Sequence, residues 1–96
     1  MKKYIAIGHW RDSKNITCAA LIQNTMKGVR KDLIGIDFVV YVVLTEKKLE
    51  TLKNANYFEV YKEVRKLTSN CHVWENVTDY IKQCFDIIEE KMSALL

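Results

Sequence analysis

The chain has 96 residues, of which 49% are hydrophobic and 28% are charged, with a formal net charge of +3. This composition is typical of one globular domain with a single core, and it excludes a disordered chain. The charge is uneven, because residues 1–53 hold ten Lys/Arg and five Asp/Glu whereas residues 54–96 hold five and seven. The basic first half permits an anionic partner, although a dedicated nucleic-acid binder would usually be more basic.

Cysteine usage and the N-terminal residues predict the compartment of the protein. Cys18, Cys71 and Cys84 fall within apolar patterns, and an odd number of cysteines placed in this way predicts reduced, buried thiols in a cytoplasmic protein. The apolar stretch after Lys3 is too short for a signal peptide. No run approaches the roughly 18 apolar residues of a membrane helix. We therefore expect no membrane association.

The most apolar run of the chain is Phe38–Leu44, which has the length of a strand and is rich in β-branched and aromatic residues. Neither of its two alternating faces is polar, and a strand of this kind is normally covered on both sides. We therefore expect the other elements to pack on it. Strict alternation assigns its side chains to two faces: Phe38, Val40, Val42 and Leu44 on one, and Val39, Tyr41 and Val43 on the other.

Apolar alternation near the start of the chain predicts two further strands, over 3–10 and 16–23. The polar loop 11–15 between them has the length of a hairpin loop, so these strands should be antiparallel neighbours. A helix separates the second strand from the third, which covers 36–44, so these two should run parallel. The third strand can lie beside either of the others, and in both arrangements it is an edge strand.

Helical spacing of apolar residues, together with capping side chains, predicts four helices. They cover 26–34 after Thr25, a short segment after Thr45, 57–67 after Asn56, and a long final helix from near residue 71. Gly35 lies where the first helix needs a left-handed C-terminal residue. Asn76 is a second candidate cap for the final helix, but the unbroken stripe from Trp74 favours the earlier start. The prediction is one α+β domain over 1–96: a three-stranded sheet in β-β-α-β-α-α-α order with a C-terminal helical layer.

An uncharged apolar edge strand invites pairing with another chain, and folds usually protect such an edge. Two arrangements would do so for strand 36–44. The C-terminal helices can wrap over it, or two copies can pair along it and form a six-stranded sheet. The second arrangement predicts a homodimer through the edge of this strand.

Helix 57–67 has more aromatic side chains than one inward stripe needs. Tyr57, Tyr61 and Val64 share a face at helical spacing, which leaves Phe58 off that face. An exposed aromatic side chain on a small domain is typical of a partner surface. Tyr57, Phe58 and Tyr61 are therefore candidate contacts with a protein partner. The alternative is a wide core stripe that contains all three.

Two groups of residues are candidate contacts with an anion or a nucleic acid. Trp10 and Arg11 lie at the hairpin tip, where a ring can stack on a base beside a phosphate contact. The favoured alternative is that Trp10 closes the end of the sheet and Arg11 is solvated. Lys27, Arg30 and Lys31 lie on the outer side of the first helix. They form a basic stripe if the lysines of the second helix share their face. Interspersed acidic residues favour two ordinary solvated faces instead.

Motifs of catalysis are missing from the sequence, which has no glycine-rich phosphate loop, no Gly-x-Ser-x-Gly elbow and no carboxylate pair in a recognisable frame. Cys71 and His72 are adjacent, so their side chains diverge and cannot form a nucleophile–base pair. No cysteine or histidine spacing matches a metal site. We predict a non-catalytic protein without a cofactor that acts through a protein partner. A nucleic-acid-binding or regulatory module is the alternative, and a thiol- or metal-dependent enzyme has the least support.

Three segments carry a resemblance to known sequences: Lys2–Trp10 (KKYIAIGHW), Asp32–Phe38 (DLIGIDF) and Val77–Cys84 (VTDYIKQC). Together they resemble short uncharacterised open reading frames of low-GC Gram-positive bacteria, which are often carried on mobile elements. This resemblance implies a bacterial origin. The strand–strand–helix–strand opening is also similar in topology to the small antitoxin domains of the HicB class, without the turn residues of that class. Neither resemblance implies a functional residue.

Overall fold

A computed structural model of the chain describes residues 1–95, which form three strands and five α-helices. The strands are β1 (Lys2–Trp10), β2 (Thr17–Gln23) and β3 (Phe38–Thr45). The helices are α1 (Met26–Gly35), α2 (Glu46–Leu52), α3 (Tyr57–Leu67), α4 (Trp74–Gln83) and α5 (Phe85–Ser93), and a short 3₁₀ turn (Cys71–Val73) precedes α4. The predicted α+β fold and the order of its elements are confirmed.

β1 is the central strand, because the order in the sheet is β2-β1-β3. Both neighbours are antiparallel to it, and Ile5 pairs with Ala20 in β2 and with Leu44 in β3. β2 and β3 are parallel to each other but not adjacent. Of the two arrangements left open by the sequence, the observed one places β3 beside β1. The central position of β1 explains why all residues of the segment 4–8 are buried.

Two hydrophobic clusters cover the two faces of the sheet. On one face, Val29 and Leu33 of α1 pack with Phe38. On the other face, α2–α5 form a helical layer whose side chains pack on Ile5 and Ile7. The buried apolar side chains of these four helices are Leu49, Leu52, Val60, Val64, Val77, Ile81, Ile88 and Met92. The apolar strand β3 is thus covered on both faces, which is the reason for its composition.

A β-bulge in β3 changes which side chains face which layer. Ile7 pairs with Val42 whereas Gly8 pairs with Val40, so Tyr41 is the extra residue. As a result, Tyr41 and Val42 both contact the α2–α5 cluster, while Val40 contacts the α1 cluster. The predicted alternation, which put Val40 and Val42 on one face, is wrong at this point. A strand that is apolar on both faces hides a bulge, because the polarity pattern does not change where the register shifts.

Three helices begin at their predicted N-caps. Their side chains accept hydrogen bonds from backbone N–H groups of the first turn: Gly28 to Thr25 at 3.1 Å, Lys48 to Thr45 at 3.1 Å, and Glu59 to Asn56 at 2.9 Å. Each bond satisfies a donor that has no partner within the helix. These local signals account for the accuracy of the predicted helix starts.

The end of α1 differs from the prediction. Gly35 is the last residue of the helix and does not have a positive φ, whereas Asp37 does, with φ 59°. Aspartate tolerates this left-handed conformation better than most residues. The conformation places the Asp37 carbonyl to accept from the N–H of Arg11 at 2.9 Å. Asp37 is therefore the residue that turns the chain from α1 into β3.

The predicted single final helix is two helices, α4 and α5, because Cys84 leaves the helical conformation (φ −115°, ψ 23°). The apolar stripe continues across this break, so periodicity did not reveal it. α5 then packs on β2, where the Lys91 ammonium donates to the Cys18 carbonyl at 3.0 Å. Among the helices of residues 1–95, none combines the length and the apolar character needed to cross a bilayer.

Candidate partner-binding surface

α3 packs on the sheet through Val60 and Val64, which are both buried. Its other sides carry aromatic and basic residues, and the start of α4 adds a tryptophan beside them. We call this region the α3–α4 surface. It comprises Tyr57, Phe58, Tyr61, Lys62, Arg65, Lys66 and Trp74.

Aromatic rings form a row on the α3–α4 surface. The rings of Tyr57 and Tyr61 are nearly parallel, with centroids 6.3 Å apart, and the ring of Tyr61 meets that of Trp74 edge to face at 6.3 Å. Phe58 is 66% exposed and Tyr57 is 44% exposed, whereas Tyr61 is half-buried. The structure therefore places Phe58 off the inward face, and a core stripe that contains all three aromatics is not observed.

Two cations lie over these rings. The Arg65 guanidinium is 4.9 Å from the ring centre of Trp74 and 5.8 Å from that of Tyr61, and the Lys62 ammonium is 5.6 Å from that of Phe58. These distances are typical of cation–π contacts. Within residues 1–95, Arg65 takes part in no ion pair and no side-chain hydrogen bond. Its guanidinium is oriented by the rings while its N–H donors are available to a ligand.

Trp74 is fixed by hydrogen bonds around it. Its indole N–H donates to the carbonyl of Thr68 at 3.0 Å, and its own carbonyl accepts from the buried hydroxyl of Thr78 at 2.7 Å. With Lys62, Arg65 and Lys66, it lines an open cavity of about 350 Å³. The rigid indole therefore gives this cavity a defined wall.

Acidic residues border the α3–α4 surface. The Glu63 carboxylate accepts from Lys48 at 3.0 Å and from Lys66 at 3.4 Å. The hydrogen bond from Lys48, aided by Lys66, lowers the pKa of Glu63. Partial desolvation, together with the nearby carboxylates of Asp79 and Glu75, raises the pKa of Tyr57. The surface therefore presents charges of both signs around its aromatic centre.

The candidate basic stripe does not form across the first two helices, in line with the favoured interpretation of two separate solvated faces. Lys27, Arg30 and Lys31 are exposed on α1, which covers the opposite face of the sheet from α2. Two lysines of the α2 region are also paired with acids, Lys48 with Glu63 at 3.0 Å and Lys53 with Glu89 at 3.3 Å. The three α1 cations take part in no ion pair of residues 1–95. They form a small basic patch limited to one helix.

The hairpin tip is partly engaged within the fold. The ring of Trp10 meets that of Phe38 edge to face at 5.0 Å, and Trp10 remains 40% exposed. Arg11 forms an exposed ion pair with Asp37 at 3.3 Å. An open cleft of about 640 Å³ lies between these residues and Ile36. Because the arginine already faces a carboxylate, this cleft offers little net charge to a phosphate.

The three cysteines differ in exposure. Cys18 is buried and Cys84 is half-buried, but Cys71 is exposed on the 3₁₀ turn, so the prediction that all three thiols are buried is wrong. The turn lies outside the apolar stripe of α4, and the adjacent His72 is also exposed. Across residues 1–95, no three side chains of the His, Cys, Asp or Glu type converge as metal ligands.

The sequence pattern does not reveal several members of the α3–α4 surface, because Trp74 falls within the apolar stripe of the final helix and Lys62, Arg65 and Lys66 match no motif. A local signal was present for two of them. Lys62 follows Phe58 by four positions, and Arg65 follows Tyr61 by four, a spacing that brings side chains together on a helix. The contribution of Trp74 had no local signal, because it depends on how α4 packs against α3.

Comparisons of this chain with models of protein families, with curated proteins and with solved structures find no match. No relative therefore contributes a ligand or a residue role to the α3–α4 surface. Its interpretation rests on its own geometry and charge.

Proposed function

We propose that this protein is a non-catalytic binding module that recognises a protein partner through the α3–α4 surface. The observation that carries the proposal is Phe58, a large aromatic side chain that is 66% exposed on the helix that also carries Tyr57, Tyr61 and Arg65. Tyrosine, tryptophan and arginine are the residue types that dominate the binding energy of protein interfaces. Here Tyr57, Tyr61, Arg65 and Trp74 contact one another, and Phe58 lies on the same surface.

Burial of Phe58 in an interface would contribute measurably to the free energy of binding. Burial of an exposed phenylalanine side chain contributes about 1.5–3 kcal/mol, which corresponds to roughly a tenfold to hundredfold gain in affinity. Aromatic side chains have few rotatable bonds, so little side-chain entropy is lost when a partner immobilises Tyr57, Phe58 and Tyr61. Phe58 is therefore the expected anchor of the interface.

The mixed charge of the border favours a protein over a nucleic acid. Lys62, Arg65 and Lys66 lie beside Glu59 and Glu63, so the patch has no strong excess of positive charge. A polyanionic backbone gains affinity from accumulated positive charge, and nearby carboxylates oppose it. A protein surface can instead match both signs at the border of an apolar centre.

A nucleic-acid-binding or regulatory role is the second candidate, and the α1 patch supports it. Lys27, Arg30 and Lys31 are exposed and take part in no ion pair of the described chain. Titration with labelled single- and double-stranded DNA and RNA, at low and physiological salt, tests this role. Binding that weakens steeply with salt and is lost in Arg30→Gln would support it. Absence of binding at low salt would remove it.

A second copy of the chain is another candidate partner, through the edge of strand 36–44. β3 has β1 as its only strand neighbour in residues 1–95, and the segment Phe38–Leu44 contains no charged residue. The bulge at Tyr41 limits regular pairing to short segments on either side of it. Light scattering over a range of concentrations tests this arrangement, and a strict monomer throughout would overturn it.

The principal experiment uses tagged protein to retain partners from an extract of the source cells, and then measures each identified protein after purification. The affinity of each purified protein is compared for the wild type, Phe58→Ser and Ile87→Ser. Ile87 is a matched control, since it is 50% exposed but lies on α5. We expect Phe58→Ser to weaken binding at least about tenfold and Ile87→Ser to leave it unchanged.

The far-UV circular dichroism of both variants is measured first, because a folded variant is needed for the comparison. If every purified candidate binds Phe58→Ser as tightly as the wild type, the α3–α4 surface is not the partner surface. If the two variants lose affinity equally, the effect is not specific to that surface. Either result overturns the proposal.

A further inference from the structure

We propose that the partner of the α3–α4 surface presents an acidic segment, and that a carboxylate of this segment binds Arg65 in the cavity beside Trp74. The inference rests on the proposed function and names the chemical class of the partner. A guanidinium and a carboxylate form two parallel hydrogen bonds, which gives both strength and orientation. Arg65 is the residue of the surface that is best prepared for such a pair.

Arg65 is held in place before a ligand arrives. Its guanidinium lies 4.9 Å from the ring centre of Trp74 and 5.8 Å from that of Tyr61, and the indole is itself fixed by its hydrogen bond to Thr68. A stacked guanidinium loses less side-chain entropy on binding than a free one. Since no carboxylate of residues 1–95 pairs with it, its charge is available to a partner.

Two lysines extend the positive charge on the same side of α3. Lys62 and Lys66 lie three residues before and one residue after Arg65, and all three line the same cavity of about 350 Å³. Lys62 takes part in no ion pair within the described chain. Lys66 faces Glu63 at 3.4 Å, but Glu63 has a closer partner in Lys48 at 3.0 Å. Lys66 can therefore turn to a ligand while Glu63 remains paired.

The surroundings of the cavity favour an acidic peptide over a free phosphate. Glu59 and Glu63 on the same helix offset part of the positive charge there, so an apolar contact has to add to the ion pair. Phe58 lies beside Lys62, and burial of its exposed ring against an apolar side chain of the partner would add to the affinity. The expected segment thus combines acidic residues with an apolar or aromatic residue next to them.

The test uses a fluorescein-labelled peptide with the repeat Asp-Glu-Phe-Asp-Glu and a matched peptide in which every acid is replaced by its amide. Fluorescence anisotropy measures the affinity of each for the full chain. We expect the acidic peptide to bind and the amide peptide to bind at least about tenfold more weakly, since the charged hydrogen bonds are lost. Added salt should weaken the acidic peptide alone.

Three variants localise the effect. Arg65→Gln should weaken the acidic peptide about tenfold, and Arg65→Lys should weaken it less, because lysine retains the charge but not the planar fork. Arg30→Gln removes one exposed arginine from α1, on the opposite face of the sheet, and should leave the affinity unchanged. Circular dichroism confirms that each variant is folded.

Failure to bind the acidic peptide, or equal affinity of Arg65→Gln and the wild type, would overturn the inference. Stronger competition by inorganic phosphate or by a single-stranded oligonucleotide than by unlabelled acidic peptide would overturn it in favour of a phosphate ligand. A purified partner that depends on Phe58 but not on Arg65 would leave the proposed function intact and remove this inference alone. A partner that depends on both residues supports the two together.

Discussion

Gly8 faces the backbone carbonyl of Val39 so closely that a β-carbon at position 8 would overlap the carbonyl oxygen. This contact lies at the bulge, where Gly8 pairs with Val40 and the register of β3 shifts by one residue. The φ of Gly8 is not positive, so another residue could adopt its backbone conformation. Glycine is needed here because it has no β-carbon.

Gly8→Ala should therefore destabilise the protein severely. The backbone of β3 has to move away from the central strand, so we expect a loss of about 3 kcal/mol in the free energy of unfolding, as for other overpacked core sites. Urea unfolding measures it. Gly35→Ala is the matched control, because nothing lies within 4 Å of its β-carbon position and alanine favours the helix. It should leave stability unchanged or raise it, and similar effects at both positions would contradict the role assigned to Gly8.

Acid should weaken the contacts of Glu63. Its pKa is lowered in the folded protein, chiefly by the hydrogen bond from Lys48, so its ionised form stabilises the fold above the unfolded pKa of about 4.3. This contribution is lost as the pH falls below that value through the lower folded pKa. The pair is partly exposed, so less than about 1 kcal/mol is expected.

Urea unfolding of the wild type and of Glu63→Gln, at about pH 7 and about pH 3, tests this. Glu63→Gln should be less stable than the wild type at the higher pH only, and the difference should vanish in acid. Glu90→Gln is the control, since Glu90 is exposed and takes part in no ion pair of residues 1–95. A difference for Glu63→Gln that persists in acid would mean that charge is not its cause.

Lys91→Ala should increase self-association. The Lys91 ammonium donates to the Cys18 carbonyl at the outer edge of β2, a strand without charged residues whose only strand neighbour in residues 1–95 is β1. A lysine over such an edge opposes pairing with another chain. Size-exclusion chromatography over a concentration series measures the effect. Lys31→Ala removes an exposed lysine from α1 and should elute unchanged, whereas equal elution of both variants would show that Lys91 does not protect the edge.

Thiol reactivity should follow the observed burial. A thiol reagent should modify Cys71 rapidly in the native protein, Cys84 more slowly, and Cys18 only after unfolding. Cys71→Ser should remove the fast phase and leave the other two. A fast phase that survives this substitution would mean that Cys84 or Cys18 is more accessible than the structure shows.

Most of the fold was predictable because its signals are local. The caps Thr25, Thr45 and Asn56 act within one helical turn, and alternation or helical spacing marks each element. The remaining features depend on tertiary contacts. The position of β3 beside β1, the bulge at Tyr41 and the bend at Cys84 leave the hydrophobic pattern unchanged, so the pattern could not reveal them.

The candidate surface likewise has one part that local sequence signals predict and one part that depends on tertiary contacts. Phe58 was predictable from helical spacing, because a residue next to the inward stripe faces outward. The cavity beside Arg65 was not, since it needs Trp74, nine residues later and in another helix. The basic residues of α1 and α2 were proposed as one stripe on condition that they share a face, and the crossover of the chain places them on opposite sides of the sheet.

The hydrogen bond from Lys91 to Cys18 joins residues 73 positions apart, and this distance has a consequence for synthesis. The hairpin of β1 and β2 leaves the ribosome first, but β3 and the helical layer arrive only later. Until then the face of the central strand that carries Ile5 and Ile7 has no helical layer to cover it. The nascent chain should therefore expose an apolar sheet face for much of its translation, and we expect chaperones to bind it during that time.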